Sequence, residues 1–154
     1  RNVVTLLRAC HHFGGAMRRR GRGGMILVGS GACYLGLPGI SVYGATKAYD
    51  LVLGEALWAE LKPHGVDVLN LIMGKTDTPA HRELMERLGI PFPEDCASAD
   101  DVAALGLERL PHGPTINWGE PEDQPGMAGL SAAGRRTRIL AIAAASSSYA
   151  KKGG

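Results

Sequence analysis

Apolar residues recur at three- and four-residue steps through the first part of the chain, at Val3, Leu6, Leu7, Cys10, Phe13 and Met17. That period gathers them on one face of a helix over residues 2–20. The stretch Arg20-Gly21-Arg22-Gly23-Gly24 breaks it. Met25-Ile26-Leu27-Val28 is then a short, continuous apolar run bounded by glycines, the pattern of a strand buried on both faces in a parallel sheet. Residues 29–40, rich in glycine and holding Pro38, read as loop. A long helix over about 41–62 ends before Pro63 and Gly65. The run Val66-Asp67-Val68-Leu69-Asn70-Leu71-Ile72-Met73 predicts a second strand. Thr78-Pro79 supplies an N-cap and a first-turn proline for a helix through about Leu88. Ser98-Ala99-Asp100-Asp101 has the form of a capping box with Asp in place of Glu, opening a helix to about Leu110. Pro114-Thr115-Ile116-Asn117-Trp118 predicts a third strand. After a loop rich in Gly, Pro and acidic residues, 131–149 read as a last helix with a weakly specified Ala/Ser-rich end.

The order α-β-α-β-α-α-β-α implies parallel pairing through right-handed crossovers. The fold class expected is α/β, a Rossmann-type doubly wound parallel sheet of about three strands with flanking helices. No internal repeat is visible. Because three strands make a small sheet and the first residues already read as helix, the 154 residues are expected to form a single partial domain.

Composition narrows the class. An apolar fraction of 45% and a charged fraction of 21% are ordinary for a globular protein. A formal charge of +2 is too small to point to a nucleic-acid or membrane partner. The dense basic cluster Arg18, Arg19, Arg20 and Arg22 reads as a solvated helix end that complements the helix dipole. Three widely spaced cysteines, Cys10, Cys33 and Cys96, give neither a disulfide framework nor a zinc site, and a reducing cytoplasm fits them. The adjacent His11 and His12 point about 100° apart on a helix and share a metal poorly. No apolar run approaches the roughly 18 residues of a membrane span.

Chemistry concentrates where the strands end. Ligands of open α/β sheets bind outside the carboxyl ends of the strands. Ser30 falls just past the first strand, and Gly74-Lys75-Thr76-Asp77-Thr78 just past the second, so parallel neighbours would bring both to one crevice. Tyr43 and Lys47, four residues apart on the long helix, share a face. Free tyrosine titrates near about 10, too high for ready proton exchange at neutral pH. A neighbouring cation favours the phenolate and lowers that value, which suits a tyrosine to general acid–base work on a carbonyl. Ser30 could hydrogen-bond the substrate oxygen. A competing reading, Gly29-Ser30-Gly31 as a dinucleotide-binding turn, meets Tyr34 where a third glycine is needed, and Pro38 and Gly39 delay the helix. His64 and His81 read as surface residues, and Thr78 as a helix cap.

With Ser30 after a buried strand, Tyr43 thirteen residues later and Lys47 four beyond, followed by Gly74-x-Thr76-Asp77-Thr78-Pro79, the chain resembles the short-chain dehydrogenase/reductase family. Tyr43-Gly44-Ala45-Thr46-Lys47-Ala48 is similar to its active-site segment, and Asn2-Val3-Val4-Thr5 to the start of its fourth helix. The match is strong over residues 2–79, weaker to about 120 and poor beyond. The resemblance implies an NAD(P)-dependent oxidoreductase that interconverts a carbonyl and a secondary alcohol, with NAD or NADP as cofactor. It implies Tyr43 as acid–base group, Lys47 holding the nicotinamide ribose, Ser30 orienting the substrate oxygen and Asn2 supporting an ordered water in a proton relay. It further implies that the loop Met73, Gly74, Thr76 and Thr78 faces the cofactor, with Thr78 on the nicotinamide carboxamide. Residues 79–95, with Met85, Leu88, Ile90 and Phe92, would form a lid. Apolar Leu51, Leu53, Ala56, Leu57, Trp58 and Leu61 give the long helix more apolar surface than one sheet face needs, and a homodimer or homotetramer would cover the excess. Met73-Gly74 stands where the family usually has Pro-Gly, and the glycine-rich cofactor motif is absent from the 154 residues. The chain is therefore expected to match the C-terminal half of a family member and to be inactive alone. A rival reading is a non-catalytic binding or oligomerisation module on the same fold.

Overall fold

The computed structural model describes residues 2–118. Helix α1 (Asn2–Arg20) leads into strand β1 (Gly23–Ser30), and helix α2 (Ser41–Leu61) into strand β2 (Val66–Met73). Helix α3 (Pro79–Leu88) lies between two short strands, β3 (Thr76–Asp77) and β4 (Ala97–Ser98). Helix α4 (Ala99–Arg109) precedes β5 (Thr115–Asn117). The main sheet has the order β1-β2-β5, and both pairings are parallel. The Rossmann-type α/β expectation therefore holds for the described residues. The helix expected over 131–149 lies outside them.

Strand β2 is the core of the sheet. Val66, Val68, Leu69, Leu71 and Ile72 are buried, as a strand covered on both faces requires. Cys10 of α1, Leu27 of β1 and Leu61 of α2 pack with Val66 and Val68, and Leu53, Leu57 and Trp58 lean on the same cluster. Much of the apolar excess read on the long helix is thus core. Ala56, by contrast, is exposed.

Two expectations about β1 need correction. The strand runs from Gly23, not Met25, because its register with β2 begins at Gly23↔Val66 and continues to Ser30↔Met73. Its leading glycines sit where neighbours approach closely: a Cβ would stand 2.6 Å from Met17 Sδ at Gly23 and 2.6 Å from Leu110 Cδ2 at Gly24. Nor is β1 buried on both faces. It is an edge strand among the described residues, and Val28 is 50% exposed.

The segment after β2 is also more ordered than a turn. Thr76 pairs with Ala97 and Asp77 with Ser98, forming a small parallel sheet that reads as loop in the sequence. Both helix caps appear as expected. Thr78 Oγ1 accepts the His81 N–H at 3.2 Å, and Ser98 Oγ accepts the Asp101 N–H at 3.4 Å. The loop over 29–40 contains a single 3-10 turn, Gly31–Cys33, and the long helix ends at Leu61 before another, Lys62–His64.

Candidate active site

Ser30 is the last residue of β1 rather than a residue past it, and it caps the following 3-10 turn. Its Oγ accepts the Ala32 N–H at 3.3 Å. A hydroxyl has one proton to donate and two lone pairs, so this bond leaves the Ser30 proton available for an oxygen in front of it. The turn is held from two sides. The Tyr34 hydroxyl donates to Asn117 Oδ1 at 2.7 Å, tying the loop to the end of β5. Helix α2 presses on the turn at Gly44, where a Cβ would stand 3.2 Å from the Ala32 carbonyl oxygen. Burial pushes the Tyr34 phenol up, against the lowering effect of the Asn117 bond.

Tyr43 lies in the first turn of α2 and is 41% exposed. Ser30 and Tyr43 line one cavity of about 460 Å³ together with Met73, Gly74, Thr76 and Thr78. The parallel register explains the convergence: Ser30 is opposite Met73, so the two strands release their chains at the same sheet edge. Thr76 is buried, its hydroxyl donating back to the Gly74 carbonyl at 3.4 Å. Thr78 uses its oxygen as the α3 cap, which leaves its proton free to donate, so a capping role and a ligand contact are compatible.

Lys47 is placed differently from Tyr43. Its ammonium stands 6.0 Å from the Tyr43 ring centroid and donates to the Val28 carbonyl and to Asp50 Oδ2, both at 3.1 Å. The side chain is only 17% exposed, so the amine does not project into bulk water. It lines a second recess of about 470 Å³, which also contains Asn2, Thr5 and Asp50. Asn2 shares this recess without a bond to Lys47. Its amide reaches Thr46 Oγ1 at 3.5 Å, and Thr46 in turn donates to the Tyr43 carbonyl at 2.8 Å. Ser30, Tyr43, Met73, Gly74, Thr76 and Thr78 thus line one cavity, and Asn2 and Lys47 line another.

Two residues of this region have no site role in the sequence reading. His81 is half-buried and lines the Ser30–Tyr43 cavity, so its reading as a surface residue is corrected. Its Nδ1 lies 2.9 Å from the Thr76 carbonyl and its ring 5.1 Å from that of Phe92. The signal was present: the third helical position after a Thr-Pro cap sits over the cap itself. Asp50, three residues after Lys47, was equally legible as a same-face partner. Of the segment expected as a lid, His81 reaches the cavity wall, while Leu84 and Leu88 are exposed. Its end is tied down by Lys75, which bonds Asp95 at 2.8 Å. The described residues contain no cluster of three or more His, Cys, Asp or Glu suited to a metal, and no helix among them is long and apolar enough to cross a membrane.

The family model described as "short chain dehydrogenase" matches residues 1–89. The chain belongs to the short-chain dehydrogenase family. A 7beta-hydroxysteroid dehydrogenase of Clostridium sardiniense is 36% identical over 112 residues, covering 71% of this chain and 41% of that protein. A solved 7beta-hydroxysteroid dehydrogenase superposes with a TM-score of 0.66 at 30% identity, covering 77% of this chain and 45% of the other. A short-chain dehydrogenase from Burkholderia cenocepacia J2315, solved in complex with NADP, has a TM-score of 0.68 at 26% identity, covering 92% of this chain and 55% of its own. The chain spans about half the length, or less, of these short-chain dehydrogenases.

Proposed function

We propose that this chain carries the acid–base machinery of an NAD(P)-dependent oxidoreductase that interconverts a carbonyl and a secondary alcohol. The observation that supports it is the shared cavity of Ser30 and Tyr43, with the Lys47 ammonium 6.0 Å from the tyrosine ring. In the reductive direction Ser30 donates its free proton as a hydrogen bond to the carbonyl oxygen, and Tyr43 transfers its phenolic proton to that oxygen as negative charge develops there. In the oxidative direction Tyr43 takes the alcohol proton. Lys47 supplies fixed positive charge beside the ring, and Asn2 lines the recess through which the proton would be replaced from solvent.

The residues present fit the nicotinamide end of NAD or NADP. Thr78 has a proton to donate, and the exposed Gly74 offers backbone without a side chain in the way. Lys47 has a third N–H beyond its two bonds. When bound, the cofactor supplies or accepts the hydride. Thr78 would hold the carboxamide, Lys47 the ribose hydroxyls, and Met73 and Thr76 the wall behind them. The Burkholderia structure with NADP supports this cofactor class. The relative from Clostridium places a hydroxysteroid first among substrates to try.

Exposed apolar residues on α1 (Val4, Leu7, Phe13) and α2 (Val52) support the homodimer or homotetramer proposed for the native protein. Light scattering should give a multiple of the protomer mass, and a monomer at high concentration would remove the assembly. The test of function is spectrophotometric. The native protein carrying this chain, given reduced NAD(P) and a panel of ketones that includes a ketosteroid, should consume the cofactor. A lack of turnover across the panel, with cofactor bound, would favour the non-catalytic module instead.

A further inference from the structure

Asp50 occupies a position that stability alone would not choose. Helix α2 buries Asp50, Gly54 and Leu61 along one stripe, with Gly54 packed over Asn70 of β2. A carboxylate there is 4% exposed. Its Oδ2 meets Lys47 at 3.1 Å, and its Oδ1 is buried without a hydrogen-bond partner among the described residues. Removing such a pair of charges from water costs more than their attraction commonly returns, and an apolar residue of similar volume is usually as good or better. The free oxygen adds to the cost unless a donor in the recess beside Asn2 and Thr5 meets it.

The geometry explains what is gained. The Lys47 ammonium has three protons. One goes to the Val28 carbonyl on β1, fixed by the sheet, and one to Asp50 on its own helix, three residues on. Two acceptors on two different elements define both the position of Nζ and the direction of its third N–H. With the Val28 carbonyl alone, the ammonium would pivot about a single bond on a flexible four-carbon stem. We infer that Asp50 is a positioning residue, a second jaw that holds the Lys47 ammonium in the orientation the Tyr43 site uses. The role in turnover rests on the function proposed above, whereas the clamp itself does not.

Two measurements separate these. In the full chain labelled with ¹⁵N-lysine, a clamped ammonium exchanges its protons slowly enough to give a resolved NH₃⁺ signal, assigned by its loss in Lys47→Arg. That signal should be present in the wild type, persist in Asp50→Asn, which keeps an acceptor oxygen, and vanish in Asp50→Leu while the Lys62 signal is unchanged. A missing wild-type signal, or one that survives Asp50→Leu, overturns the clamp. If Asp50→Leu does not fold, Asp50→Ser, too short to reach Nζ, replaces it. In the native protein carrying this chain, Asp50→Leu should lower kcat by about 10²-fold, the usual consequence of misplacing a catalytic group by about 1 Å, with Asp50→Asn recovering most of it. Unchanged kcat in a folded Asp50→Leu enzyme would overturn the positioning role. An inactive wild type would instead count against the proposed function, and the lysine signal would still decide the clamp.

Discussion

Replacing Gly54 by alanine should destabilise the fold, although alanine is the better helix former. Gly54 is buried on the sheet-facing stripe of α2, directly over Asn70 of β2. A Cβ at this position would stand 2.6 Å from Asn70 Cγ and 2.7 Å from its Nδ2, closer than Cβ atoms sit in proteins, and would collide with Oδ1 as well. Asn70 cannot give way cheaply. It is 1% exposed, and its amide donates to the Leu51 carbonyl at 3.0 Å and to Thr115 Oγ1 at 3.4 Å, stitching α2, β2 and β5 together. Overpacking of this kind costs about 1–3 kcal/mol. Leaving the buried amide unsatisfied costs a further 1–3 kcal/mol or so. The gain in helix propensity offsets about 1 kcal/mol. Mid-range values leave a net loss of about 3 kcal/mol. For a chain of this size that corresponds to a fall of roughly 6–12 °C in the thermal midpoint. Far-UV circular dichroism would follow the melt, and Asn70→Ala combined with Gly54→Ala should lose less than the two single changes added together, because the clash is then gone. A Gly54→Ala chain that melts at or above the wild-type temperature would refute the close-approach argument.

Two further outcomes follow from the electrostatics. The Arg82 guanidinium, hydrogen-bonded to Asp77 at 2.6 Å, holds its carboxyl below the usual carboxylate range. A folded-state value below the unfolded one stabilises above about pH 4 and is lost as pH falls further, so the stability difference between wild type and Asp77→Asn should shrink below about pH 4. A difference that stays constant from neutral pH to pH 3 would contradict this. Burial, helped by the charge of Glu55, pushes the Cys33 thiol up to about 11. Alkylation of Cys33 at pH 8 should therefore run at least about 10²-fold slower than that of an ordinary thiol, and a rate typical of free cysteine would show the thiol is not so perturbed.

The elements legible in the sequence are those whose signal is local. Strand β2 falls on Val66–Met73 as read, because a stretch rich in Val, Leu and Ile, interrupted only at Asp67 and Asn70, suits a strand buried on both faces. Helix α3 begins at Pro79, where Thr78 caps it, as the Thr-Pro pair requires. The pairing of Thr76 with Ala97 was not legible, since two-residue strands carry no period and depend on a partner twenty-one residues away. The start of β1 is hidden in the sequence because Gly23 and Gly24 look like punctuation. They are in fact strand positions stripped of side chains to admit Met17 and Leu110. At the site, the Tyr43–Lys47 spacing and the strand-end position of Ser30 were readable from pattern alone. That Lys47 is shared between Val28 and Asp50, and that His81 turns inward, depend on how α2 and α3 lie on the sheet.

In the proposed reaction Tyr43 moves the proton within the cavity it shares with Ser30. The most direct measurement is turnover of Tyr43→Phe in the native protein carrying this chain, with cofactor affinity followed in parallel by the fluorescence of reduced NAD(P). In this variant kcat should fall by at least about 10²-fold while cofactor affinity is kept. A phenylalanine variant that reduces ketones at the wild-type rate would contradict it.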